Sequence, residues 1–243
     1  MADYRRTQTR LRNRLRTHHL PLFAASALAV AAFYWLHPSS DWVMRTSFAT
    51  AYPALILLVV TLLIGPWNVL RKNRNPISSD LRRDVGIWAA VVGILHSAIG
   101  QNVHFRGRPW CYYIYSPPEH HRFPIRHDLF GFSNYTGLVG FLLLVALLAT
   151  SNDICLRRLG ARRWKQFQRW NYALFALVAA HGIGYLLIEK QQIPFVTTVG
   201  VCIAAALALQ IAGFVARRNQ TGKRDLQAAI AADFRGSSAT DGS

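Results

Sequence analysis

Negative charge is what this chain most lacks: eleven Asp and Glu stand against 28 Lys and Arg in 243 residues, a formal net charge of +17. Charged residues of both signs make up only 16% of the chain, against about 25% in soluble domains. Apolar residues make up 52%, and mean hydropathy is +0.16. A soluble enzyme does not fit this balance. Cysteine is scarce as well: Cys111, Cys155 and Cys202 lie far apart with no C-x-x-C pair, which excludes a disulfide framework or a zinc site. There is no internal repeat and no Gly-rich nucleotide fingerprint after a strand pattern. No flavin or nicotinamide domain is therefore expected within the chain, and reductant has to come from a separate protein or from quinol.

What the chain does have is long apolar runs. Six approach the ~20 residues needed to cross a bilayer: 20–36, 48–70, 85–103, 130–150, 170–188 and 193–216. The first follows a basic stretch but ends in Phe33, Tyr34, Trp35 and Leu36 without a small-residue cleavage pattern, so it reads as a retained anchor. Of the 28 Lys and Arg, 22 lie in the N-terminal tail, between runs two and three, between runs four and five, and after run six. The other connections hold only Arg45, Arg106, Arg108, Arg122, Arg126 and Lys190. Cytoplasmic loops collect Lys and Arg, which explains the basic excess without a nucleic acid partner. The expected fold is an all-α integral membrane protein, a six-helix transmembrane bundle with both termini cytoplasmic. Residues 1–19 form a basic cytoplasmic tail, 20–216 the six-span domain, and 217–243 a cytoplasmic tail that reads as disordered.

Nine histidines are present, and two sit well inside apolar runs: His96 in VVGILHSAIGQ and His181 in LVAAHGIGYLL. His96 lies thirteen residues past Arg83, and His181 lies twelve past Arg169. At 1.5 Å per residue both imidazoles stand about 18 to 20 Å above the cytoplasmic edge, and their runs point the same way. Two imidazoles at one depth can clamp a planar iron macrocycle, with a neutral nitrogen from each side. Ser97, Gly100, Ala180, Gly182 and Gly184 would leave room for a flat ligand. The alternative is that each histidine hydrogen-bonds a helix carbonyl or a neighbouring side chain. Other metal sites want a third or fourth ligand, and no Cys, Asp or Glu lies at that depth in these two runs.

Residues 150–187, TSNDICLRRLGARRWKQFQRWNYALFALVAAHGIGYLL, resemble the end of span four, the basic loop and span five of the ferric-reductase-like transmembrane domain family. Within it the likeness is strongest to the haem-binding membrane subunits of periplasmic methionine sulfoxide reductase systems, the MsrQ/YedZ type. LRRDVGIWAAVVGILHSAIG, residues 81–100, is similar to that family's start of span three. The resemblance implies six helices, haem b, and transmembrane electron transfer in a bacterial inner membrane. It implies His96 and His181 as the axial iron ligands. The family subunit carries a further histidine thirteen positions before the span-five ligand. Here that position is Gln168, a poor iron ligand, so one haem rather than two is expected. The loop HFRGRPWCYYIYSPPEHHRFPIRHDLFGFSN also departs from the family, being longer and rich in aromatics and histidine.

That exterior loop holds His104, His120, His121 and His127 with Trp110, Tyr112, Tyr113 and Tyr115. It reads as an interfacial aromatic belt with solvated histidines, or as a docking surface or metal site. His18, His19 and His37 read as solvated. Arg169 and Trp164 are the cytoplasmic residues expected nearest a cofactor or quinone. The leading expectation is a haem b protein passing electrons across the membrane from a quinol or cytoplasmic flavoprotein donor to a periplasmic acceptor or partner reductase. It would act as the electron-transfer subunit of an oxidoreductase. The alternatives are a cofactor-free membrane scaffold or transporter subunit, and a direct ferric or metal reductase.

Overall fold

The computed structural model describes residues 12–71, 77–116, 121–190 and 193–240. Among them the chain is helical, with no strand beyond an isolated bridge between Ile114 and Ile125. A π-helical turn, Leu15–His19, runs into α1, Leu20–Leu36. There follow α2, Trp42–Leu70; α3, Ile77–Gly100; α4, Leu129–Thr150; α5, Asp153–Gln168; α6, Asn171–Ile188; and α7, Ile193–Thr240.

Helix starts follow from local chemistry. Asp41 accepts from Val43 N at 2.8 Å ahead of α2, Asp128 from Gly131 N at 2.7 Å ahead of α4, and Asn152 from Cys155 N at 2.8 Å ahead of α5. Each satisfies one of the backbone donors that a helix leaves unpaired at its first turn.

Five stretches are long and apolar enough to cross a membrane: Arg12–Leu36, Trp42–Leu70, Leu129–Thr150, Asp153–Ile188 and Ile193–Gly222. The molecule is a multi-pass membrane helical bundle, with large apolar side chains such as Leu28, Leu142 and Phe214 turned outward as lipid contact requires. The helix α3 is not among the five. Its first turns carry Asp80, Arg82, Arg83 and Asp84, and His96 and Ser97 lie farther along, which lowers its apolar content. One face of it is buried: Val85, Ala89, Ala90 and Val92 are covered while Val91 and Leu95 are exposed, and its most extensive packing is on α2.

The bundle has two halves. One joins α1, α2, α3 and α7, with Tyr52, Leu55 and Val59 of α2 packed on Phe195, Val199, Cys202 and Ala206 of α7. The other is the closely packed pair α4 and α6. The halves meet at one end through Leu58, Ala89, Leu147 and Leu174, one residue from each of α2, α3, α4 and α6. Farther along, a cavity separates them.

Two segments differ from the sequence expectation. The basic connection after α4 is itself a helix, α5, bent at Gly160, whose φ of 73° suits a residue without Cβ. The backbone of α7 stays helical through Thr240 instead of ending near residue 216. Its later part includes LQAAIAADF, rich in strong helix formers.

Candidate functional site

The cavity between the halves measures about 520 Å³, and His96 of α3 and His181 of α6 both line it. Their ring centres stand 6.2 Å apart with planes at 72°. Each imidazole is held from behind by a helix on its own side of the cavity. His96 Nδ1 lies 2.9 Å from the carbonyl oxygen of Ser47 on α2, and His181 Nδ1 lies 2.7 Å from that of Ser133 on α4. A carbonyl only accepts, so both Nδ1 atoms carry the proton and both Nε2 atoms keep a lone pair. Among the described residues neither Nε2 has a hydrogen-bond partner. A histidine anchored at one nitrogen and open at the other is the arrangement seen in metal-binding imidazoles.

Glycine permits this placement at two points. A Cβ on Gly137 of α4 would stand 2.6 Å from His181 Nδ1, so any side chain there would displace the ring. A Cβ on Gly184 of α6 would stand 1.9 Å from Ser133 Oγ, so Gly184 lets α4 and α6 approach. Gly184 therefore serves helix contact; Ser97, Gly100 and Gly182 line the cavity, and Ala180 does not.

The two ends of the cavity differ in chemistry. Toward the end where the four helices meet, the lining is apolar: Leu58, Ala89, Leu144, Leu174 and Val178. Toward the other it is polar. Gln101 Nε2 donates to the Tyr113 hydroxyl at 3.0 Å, and the Tyr185 hydroxyl donates to Asn134 Oδ1 at 3.0 Å. His104 also lines this end, 3.2 Å from Glu189 through Nε2. Burial holds the His104 imidazole below its ordinary pKa, and Glu189 partly offsets that.

The other histidines scatter. His120 lies outside the described residues. His121 stacks on Tyr115 at 3.7 Å, and His127 stands edge-on to the same ring at 5.4 Å. No group of three or more metal-ligating side chains occurs among the described residues.

Three histidines expected to be solvated are not. His18 Nδ1 lies 2.7 Å from Asp84 Oδ2, and His19 Nε2 lies 3.4 Å from Oδ1. Arg14 adds two hydrogen bonds to the same carboxylate, which is fully buried. Trp88 Nε1 donates to His19 Nδ1 at 3.3 Å, which leaves the His19 proton on Nε2, facing Asp84. A buried carboxylate needs donors, and these residues supply them. His37 is 6% exposed and stacks on Phe48 at 4.7 Å, because the chain turns inward between α1 and α2.

Gln168 does not line the cavity. Its amide nitrogen lies 3.4 Å from Ser151 Oγ, and its amide oxygen accepts from Asn171 at 3.2 Å. Trp164 donates to the Thr150 carbonyl at 2.9 Å and Arg169 is exposed, so neither approaches the cavity. Cys111 and Cys202 are buried, and all three cysteines are free thiols.

With both histidines on facing walls of one cavity, the class of protein follows. Residues 50–179, from α2 into α6, match the family described as ferric reductase like transmembrane component, and the chain belongs to that family. The matched stretch contains His96 and ends two residues before His181. Among curated proteins, the chain is 29% identical over 173 residues to the protein-methionine-sulfoxide reductase heme-binding subunit MsrQ of Yersinia pseudotuberculosis serotype O:1b (strain IP 31758). That likeness covers 71% of this chain and 76% of the relative. It is also 29% identical to the MsrQ of Yersinia pestis (strain Pestoides F), covering 71% of this chain and 75% of that protein.

Proposed function

We propose that this chain is a haem b electron-transfer subunit in a bacterial inner membrane, with six spans and both termini cytoplasmic. Electrons pass from a quinol or a cytoplasmic flavoprotein to an acceptor or partner reductase on the periplasmic side. The observation that carries the reading is the pair of anchored imidazoles, each offering Nε2 toward a cavity of about 520 Å³.

The residues fit the group. Two metal–nitrogen bonds of about 2 Å each, plus about 1.1 Å from each nitrogen to its ring centre, separate the centres by about 6 Å. The observed separation is 6.2 Å. The Yersinia relatives are named heme-binding subunits of a protein-methionine-sulfoxide reductase, which supports both the cofactor and a partner reductase as acceptor. Haem iron would supply one-electron chemistry by alternating between its ferric and ferrous states.

The chain's own residues do the rest. The carbonyls of Ser47 and Ser133 fix the tautomer and aim of the two rings. The apolar lining from Leu58 to Val178 excludes water from the inner end. The polar outer end, with His104, Tyr113 and Tyr185, faces the side where the acceptor would dock. Six spans follow if α3, packed on α2, also crosses; the lopsided distribution of Lys and Arg then places both termini inside.

The test is a reduced-minus-oxidised difference spectrum of the chain purified from haem-replete cells, followed by addition of a quinol. Soret and α bands that grow on quinol addition, and that His96→Ala and His181→Ala each abolish, support the reading. A wild type without bands would leave a cofactor-free scaffold.

A further inference from the structure

At the end of the bundle where basic residues concentrate, one guanidinium is partly buried with no ion pair among the described residues. It belongs to Arg82, near the start of α3, which has no hydrogen bond among them either. Its Nη1 lies against α2, 3.5 Å from where a methyl group on Gly65 would stand. The groups that act on it electrostatically are the Tyr172 hydroxyl on α6 and a second cation, Arg217 on α7. Neighbouring carboxylates are committed elsewhere: Asp84 to Arg14, His18 and His19, and Asp153 to Arg83. Gln210 ties the walls together, donating to the Leu62 carbonyl at 3.0 Å and lying 3.4 Å from the Tyr172 hydroxyl.

Arginine does not shed its proton in proteins, so this charge cannot be relieved by titration. A partly buried charge without a partner carries a desolvation cost, and the second cation, Arg217, adds repulsion. An anion removes both penalties. Just beside the site, α2 and α7 touch where a Cβ on Gly213 would meet Pro66 at 2.8 Å. The adjoining Trp67 and Phe214 are exposed, 48% and 68%, and present apolar surface next to that contact. A ligand with a phosphate head and an acyl tail matches both features, whereas a free phosphate matches only the first. Basic pockets between membrane helices on the cytoplasmic side suit anionic lipid headgroups.

We propose that Arg82 and Arg217 bind the phosphate of an anionic phospholipid beside the contact of α2 with α7. The site is separate from the histidine cavity, whose lining includes none of these residues, and it stands whether or not the chain binds haem.

The experiment is thermal unfolding and native mass spectrometry of the full chain in delipidated detergent, with phosphatidylglycerol, phosphatidylcholine or inorganic phosphate added. Phosphatidylglycerol is expected to raise the unfolding midpoint and to remain bound at about one per chain, while the other two have little effect. Arg82→Met is expected to unfold no lower than wild type without lipid, since it removes an unpaired charge, and to weaken phosphatidylglycerol binding roughly fivefold. Arg217→Gln, at an exposed position, is expected to weaken it in the same direction without affecting folding. An equal response to phosphatidylcholine, full replacement by inorganic phosphate, or undiminished binding in both variants would overturn the proposal.

Discussion

His96 and His181 face each other with ring centres 6.2 Å apart, and each is fixed through Nδ1 to a backbone carbonyl of an adjacent helix. Because the anchors are backbone atoms, the rings themselves can be removed without unmaking their supports. In His96→Gly or His181→Gly, the haem α band should be lost and should return on addition of millimolar imidazole. Return without imidazole, or no return in either variant, would separate the histidines from iron binding.

Gly137 and Gly184 carry a steric prediction. Gly137→Ala places a methyl group 2.6 Å from His181 Nδ1 and should lower both haem content and thermal midpoint. Gly184→Ala collides with Ser133 Oγ instead. It should destabilise by about 1–3 kcal/mol, as overpacking does, and be partly rescued by Ser133→Ala. Normal haem content in Gly137→Ala would mean the ring tolerates displacement.

The carboxylate of Asp84 fastens the segment before α1 to the start of α3. Asp84→Ala leaves Arg14 covered and unpaired, a change that typically costs about 3–5 kcal/mol for a buried pair. Thermal unfolding should report a large loss, and limited proteolysis should show faster cleavage near Arg16. The double variant Asp84→Asn with Arg14→Gln should recover part of the loss. Additive effects in that cycle would mean the pair is not coupled.

Acid sensitivity should come from His37 and His104, both outside the spans. Burial holds both below the ordinary imidazole range; Arg45 deepens this at His37, and Glu189 opposes it at His104. The unfolded chain takes up these protons near pH 6.5, while the folded chain does so only at lower pH. The unfolded state therefore binds more protons in that window, and stability falls as pH drops through it, levelling off below the folded values. The unfolding midpoint should be lower at pH 5 than at pH 7.5. His37→Phe, which keeps an aromatic ring against Phe48, should flatten part of that dependence. A midpoint that rises on acidification contradicts this account.

How legible these features were depends on where each one is encoded. Apolar runs and the matched depths of His96 and His181 are one-dimensional properties, visible as spacing from Arg83 and Arg169. The anchoring carbonyls of Ser47 and Ser133 are not, since every residue has a carbonyl and only packing selects one. His18, His19 and His37 lie in polar or terminal sequence and looked solvated, yet Asp84 draws in His18 from 66 positions away, with His19 beside it, and Phe48 stacks on His37 across a turn of the chain. The amphipathic pattern of α5 was hidden under its run of arginines. Gly137 carried no sequence mark of its own, because its significance is the ring of His181 on another helix.

The most direct test of the central claim is the haem-to-chain ratio, measured for wild type, His96→Ala and His181→Ala purified in parallel. A single site clamped by both imidazoles predicts about one haem per chain in wild type and close to none in either variant. Two haems in wild type, or a ratio that survives loss of either histidine, would contradict it.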